Sequence, residues 1–195
     1  MPESVECSKN TIFVLSSDFG ESAFYMKLII YILTITSLLS VADIPKNYLK
    51  KIDKEVLLVF DLKVYEKVPM DIEASVLSEM SRDFDPDGFF KIMDNENHIG
   101  YFYFGKAPSK ADEFDYVVIF DEALIIKKIK ILAYREDYGG EISSKRWLRQ
   151  FDGSDKDSTL NYGKDIIGIS GATISAVSMC KEVNCLLKDL SKLPI

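Results

Sequence analysis

Close to the C-terminus the chain reads Asp165-Ile-Ile-Gly-Ile-Ser170-Gly171-Ala172-Thr173-Ile174-Ser175. After this stretch, apolar residues recur at steps of three and four up to Leu190, which predicts a terminal helix that begins within or just after the stretch. The hydroxyl groups at its start have two interpretations. In the first interpretation, the side chain of Ser170 or Thr173 caps the helix. In the second, the free N–H groups of the first helical turn bind an anion, above all a phosphate.

The composition is that of a single globular domain. A chain of 195 residues can bury a core of its own, and 12 Phe and 10 Tyr suit a β-rich one. The net charge of −7 and the pI near 4.9 argue against nucleic acid and anionic lipid headgroups as partners. Three cysteines, one histidine and no Cys-x-x-Cys supply neither a disulfide framework nor the ligands of a zinc site, so no metal is predicted.

The N-terminus predicts export. Residues 26–42 have the pattern of a signal peptide or membrane anchor, with a lysine, an apolar run and small residues at both cleavage-site positions. We interpret Met26 as the true translation start and residues 1–25 as the product of a mis-set upstream start. Residues 43–195 then form one domain. Whether residues 26–42 are a cleaved signal peptide or a membrane anchor, the domain is predicted to be periplasmic or on the extracytoplasmic face of the membrane.

The middle of the chain turns from an ambiguous pattern to a β pattern. Residues 55–60 fit a strand or a helix, Pro69 predicts the first turn of a helix that runs to Met80, and residues 105–110 predict a loop. Alternating apolar runs separated by turn residues predict an antiparallel meander. Its strands are Phe89–Met93, His98–Phe104, Tyr116–Phe120 and Ile125–Tyr134.

A charged loop with paired glycines follows the last strand. Glu136 precedes Gly139 and Gly140, which permit a positive φ and a close approach of the backbone to a flat or bulky group. The alternative is an ordinary strand-to-helix turn. Ser143 or Ser144 then caps a predicted short helix. The apolar face of that helix carries Trp147, Leu148 and Phe151.

Ser170 to Ser175, with Ser-Gly-Ala-Thr followed by a β-branched residue and Ser, resembles the flavinylation motif of the FMN-binding domain family. This family includes the flavin-bearing small subunits of sodium-pumping NADH:quinone oxidoreductase and of the related Rnf complex. The resemblance extends over roughly Phe89 to Leu190, because the meander, the acidic Gly turn and Gln150-Phe-x-Gly153 also match. It implies an α+β fold, in which an antiparallel β-meander sheet packs with helices.

The resemblance also implies a cofactor and its partners. The Thr173 hydroxyl would be joined to FMN by a phosphoester bond that a flavin transferase makes with FAD as donor. The ring would exchange electrons with a membrane redox partner or a quinone reductase complex, without catalytic residues of the protein's own. The residues implied to bind the cofactor are Thr173, Ser170, Gly171, Ala172, Ser175, Glu136, Gly139 and Gly140.

One position departs from the family. Many members have an aspartate three residues before the motif serine, where this chain has Ile167. Asp165, two residues earlier, is the nearest acid. The departure leaves two alternatives to covalent attachment. The domain binds FMN non-covalently, or it is a non-redox exported binding module of the same fold.

Overall fold

A computed structural model describes residues 44–194, and the predicted signal or anchor segment lies outside the described residues. Five antiparallel strands form one sheet in chain order: β1 (Glu66–Pro69), β2 (Phe89–Asp94), β3 (Asn97–Pro108), β4 (Glu113–Asp121) and β5 (Ile126–Ala133). The α-helices of the described chain are α1 (Lys46–Phe60), α2 (Ala74–Leu77), α3 (Lys145–Leu148) and α4 (Thr173–Leu190). Short 3-10 turns occur at Pro86–Gly88, Gly140–Ser143 and Arg149–Phe151. The α+β fold with an antiparallel meander is confirmed.

Helices cover both faces of the sheet. Side chains alternate along the strands, so that Tyr116 and Val118 of β4 pack in the core under α4, whereas Val117 and Ile119 pack in the core under α1. Residues 114–120 are consequently all buried. This explains why β4 reads as a continuous apolar run rather than as alternating apolar and polar residues.

Helix α1 settles the ambiguity at residues 55–60, since they form its C-terminal part. Polar contacts tie this helix to the sheet. The Tyr48 hydroxyl donates to Asp115 Oδ2 at 2.9 Å, and Lys51 Nζ donates to the Leu132 carbonyl at 2.7 Å. Within residues 44–194, no helix has both the length and the apolar composition needed to cross a membrane.

Two predictions of local structure were wrong. Pro69 does not start a helix; it ends β1, and α2 begins later, at Ala74. Among the described strands, β1 lies at the edge of the sheet and pairs with β2 alone, and an edge tolerates a residue that lacks an N–H group. Residues 105–108 belong to β3 rather than to a loop, because they pair with the start of β4 out to Pro108 and Glu113. Tertiary pairing decided both.

Candidate functional site

Thr173 is the first residue of α4, and its side chain is exposed. Within residues 44–194 no side chain caps the helix, and the one contact of Thr173 Oγ1 there is at 3.5 Å with the Ile169 carbonyl. The first backbone bond of the helix runs from Ala176 N to the Ala172 carbonyl at 2.9 Å. Among the described residues, the N–H groups of positions 173–175 therefore have no backbone or side-chain acceptor. A free hydroxyl and free donors meet at the positive end of the helix dipole.

The loop that leads to Thr173 is anchored by α3 and by the 3-10 turn that follows it. The Trp147 Nε1–H donates to the Ile167 carbonyl at 2.8 Å, and the Ile167 N–H donates to Gln150 Oε1 at 2.8 Å. Ser144 Oγ caps α3 by accepting from the Trp147 N–H at 3.3 Å, which confirms one of the two predicted caps. The indole is buried and packs edge-on against Phe151. α3 and this 3-10 turn thus fix the backbone of the approach loop through main-chain atoms of Ile167.

Replacement of Trp147 by Phe is expected to loosen this loop. The change removes the donor to the Ile167 carbonyl and some buried ring volume, and should lower the free energy of unfolding by about 1–3 kcal/mol. Amide exchange at Ile167 should accelerate more than exchange in the sheet. Phe151→Leu is the control, because it disturbs the same packing without touching the loop's hydrogen bonds. Equal acceleration in both variants would contradict a specific anchoring role.

A cleft of about 470 Å³ opens beside Thr173. One wall is the start of α4, residues 171–175. The other wall is residues 110–111, from the turn between β3 and β4. Between them runs the segment of residues 134–138 that follows β5. The cleft therefore joins three parts of the chain that are far apart in sequence.

The segment after β5 is held against the wall formed by α4. Tyr134 and Ser175 are hydrogen-bonded through their hydroxyls at 3.0 Å. Gly139 has a φ of +84°, and a Cβ atom there would lie only 2.7 Å from the Ala172 Cβ. Gly139 is thus needed both for its backbone conformation and for the close approach. At Gly140 no described residue comes within 4 Å of such a Cβ position, and its φ is not positive, so it has neither role.

The same segment also holds the opposite wall, through Glu136. Glu136 Oε1 accepts hydrogen bonds from Ser109 Oγ, from Ala111 N at 2.7 Å and from Asp112 N at 3.3 Å. The bond from Ser109, followed by that from the Ala111 amide, holds the pKa of the Glu136 carboxyl below its ordinary value of 4.5. Glu136 therefore shapes the cleft by ordering the turn of residues 109–112.

The stabilisation of the turn of residues 109–112 by the Glu136 carboxylate is expected to be lost in acid. A carboxyl whose pKa is lower in the folded than in the unfolded state stabilises the fold above its unfolded pKa, near 4.5, and stops doing so as the pH falls through the folded pKa. The difference in free energy of unfolding between wild type and Glu136→Gln should be constant at neutral pH and shrink below about pH 4.5. Denaturant titrations across this range measure it. A difference that grows toward low pH would contradict the assignment.

Some of the predicted binding residues line the cleft and others do not. The cleft is lined by Gly171, Ala172, Thr173, Ser175 and Glu136, and Gly139 packs behind its wall. Ser170 and Gly140 are exposed and do not line it. Sequence reasoning missed several lining residues, which come from three separate segments and carry no local signal. They are Lys110, Ala111, Tyr134, Asp137, Tyr138 and Ile174.

The part of the chain that forms the cleft matches a known protein family. Residues 110–188 match the FMN-binding domain, a span that begins at the cleft residue Lys110 and extends through most of α4. No curated protein matches the chain. Free N–H donors beside a hydroxyl suit the phosphate of FMN, and the open cleft next to them offers room for a flat ring. Residues 110–188 of this chain therefore match an FMN-binding domain, and this match indicates FMN as the cofactor.

Proposed function

We propose that the protein is an exported electron-transfer flavoprotein that carries FMN through a phosphoester bond to Thr173. One observation carries the proposal. The Thr173 hydroxyl is exposed, caps nothing, and lies on the cleft wall beside three N–H groups that have no acceptor among the described residues. A neutral hydroxyl in this position is available for a bond, and the adjacent donors favour a negatively charged phosphodiester.

Each part of the cleft has a role in this proposal. The first turn of α4 donates its N–H groups to the phosphate, while Tyr134 and Gly139 keep that turn close to the segment after β5. Glu136 orders the turn of residues 109–112 on the far side, so that the ring site has two fixed walls. When bound, FMN supplies the redox chemistry by accepting and passing on one or two electrons. The role requires no acid, base or nucleophile from the protein.

Attachment requires an enzyme that reaches Thr173, and the exposure of this residue supports such access. In a transfer from FAD, a bond forms between Thr173 Oγ and the phosphorus of the FMN half, the pyrophosphate bond breaks and AMP leaves. A covalent bond is useful outside the cytoplasm, where free FMN is too dilute to keep a site filled. Export is inferred from the signal pattern of residues 26–42. The electron partner would then be a membrane redox protein or a quinone reductase complex.

The departure at Ile167 changes the surface rather than the path of the loop. Its side chain is 72% exposed, while its N–H and carbonyl groups are held by Gln150 and Trp147. Those bonds use backbone atoms, which an aspartate would present equally. Any effect of Ile167 is therefore expected on recognition by the transferase, and Ile167→Asp should raise the fraction of modified protein.

The test is to express the protein in exported form together with a flavin transferase. Fluorescence of the denatured band in a gel, and an intact mass increased by FMN less one water, are the expected results. A colourless product of unmodified mass would overturn the proposal and favour a non-redox binding module. A yellow protein that loses its flavin on denaturation would replace the covalent bond by non-covalent binding.

A further inference from the structure

Lys110 is the one cationic side chain among the described residues that line the cleft, whose other charged residues are Glu136 and Asp137. Lys110 is exposed, and no salt bridge joins it to a carboxylate within residues 44–194. Its charge is therefore not neutralised by a direct partner in the described part of the chain. The wall it belongs to lies across the 134–138 segment from Thr173, away from the helix start that would hold the phosphate.

The backbone of Lys110 is fixed by the turn around it. Ser109 N donates to the Asp112 carbonyl at 2.7 Å, and Ser109 Oγ lies 2.6 Å from the same oxygen, so its single proton is shared between this carbonyl and Glu136. The Glu136 carboxylate binds the same turn through Ser109, Ala111 and Asp112. Three donors occupy Glu136 Oε1, so the carboxylate fixes the turn while its charge is partly compensated there. Lys110 is thus carried on a hydrogen-bonded turn at the cleft that it lines.

We propose that Lys110 raises the redox potential of the flavin, and that Glu136 is the residue that positions Lys110 for this purpose. The inference rests on the proposed function. Uptake of two electrons and one proton by the neutral ring leaves one negative charge on it. An ammonium group nearby lowers the free energy of that charged state and leaves the neutral oxidised state almost unaffected. Lys110 therefore shifts the equilibrium toward the reduced form.

The first experiment measures the midpoint potential of the flavinylated protein, reduced with dithionite in the presence of a reference dye. Lys110→Gln should disfavour the reduced form about tenfold, which is about 30 mV for a two-electron couple. Lys110→Arg keeps the charge and should restore most of the potential. Lys106→Gln is the matched control, because Lys106 is an exposed lysine of β3 that does not line the cleft. Lys106→Gln should change the midpoint potential by no more than a few tenths of the shift caused by Lys110→Gln.

The second experiment uses the sign of the shift to separate positioning from direct electrostatics. Glu136→Ala removes a negative charge, which by itself would raise the potential. If Glu136 acts by holding Lys110 in place, Glu136→Ala must instead lower the potential, as Lys110→Gln does. In the Lys110→Gln background the same change should produce no further decrease.

The outcomes separate this inference from the proposed function. An unchanged potential in flavinylated Lys110→Gln, or a decrease of equal size in Lys106→Gln, would overturn the role of Lys110 and leave covalent attachment intact. A raised potential in Glu136→Ala would overturn the positioning role alone. A wild-type protein without flavin would overturn the proposed function and this inference together.

Discussion

Thr173→Ala is expected to produce a folded protein that carries no covalent flavin at all. The change removes the only atom to which the phosphoester bond is proposed, so the loss should be complete rather than partial. The free energy of unfolding of the unmodified protein should change by no more than about 0.5 kcal/mol, since the side chain is exposed and makes one marginal contact. In-gel fluorescence and intact mass measure the first effect, and denaturant unfolding measures the second.

Ser170→Ala is the matched control for this substitution. Ser170 is an exposed hydroxyl residue of the same loop and does not line the cleft, so its loss should leave the flavin in place. Thr173→Ser keeps a hydroxyl at the helix start and should retain some modification. Flavin that persists in Thr173→Ala but is lost in Ser170→Ala would move the attachment point to Ser170.

Gly139→Ala is expected to have the largest effect on the shape of the cleft. An L residue at a φ of +84° costs about 1–2 kcal/mol, and the new methyl group would lie 2.7 Å from the Ala172 Cβ. With the repacking that this contact forces, the free energy of unfolding should fall by about 2–4 kcal/mol. Because Ala172 precedes Thr173, the helix start should shift and the yield of covalent flavin should drop several-fold. Denaturant unfolding and fluorescence per mole of protein measure the two effects.

The neighbouring glycine supplies a control with the same chemical change. A Cβ atom at Gly140 would meet no atom of the described chain within 4 Å, and the φ of Gly140 is not positive. Gly140→Ala should change the free energy of unfolding by no more than about 0.5 kcal/mol and leave the flavin yield unaltered. If both alanine variants behave alike, the packing of Gly139 against Ala172 is not what shapes the site.

The residues of the site have two kinds of role, attachment of the cofactor and positioning of the backbone around it. Thr173 supplies the proposed bond, and its loss should leave the fold unchanged. Gly139, Glu136 and Trp147 supply no group to the cofactor, and act by holding the helix start, the opposite wall and the approach loop in place. Stability measurements should therefore separate the two roles even before the redox partner is known.

Much of this could be predicted from the sequence, because it depends on local patterns. The meander from Phe89 onward and the final helix follow from apolar periodicity, and the resemblance to the family's motif lies within the six residues from Ser170 to Ser175. The length of β3 and the strand at Pro69 did not follow, because long-range pairing overrode the local turn signals.

The sequence by itself determined that a hydroxyl residue would stand at the start of the last helix, since a motif and a periodic pattern meet there. Only the tertiary structure decided what surrounds that hydroxyl. It separated Gly139 from Gly140, assigned the Glu136 carboxylate to a turn 24 to 27 residues earlier, and brought Lys110 to the cleft. The physical reason is that the walls of the cleft form where the ends of different strands become adjacent in the sheet, and local sequence patterns do not determine which strand ends become adjacent.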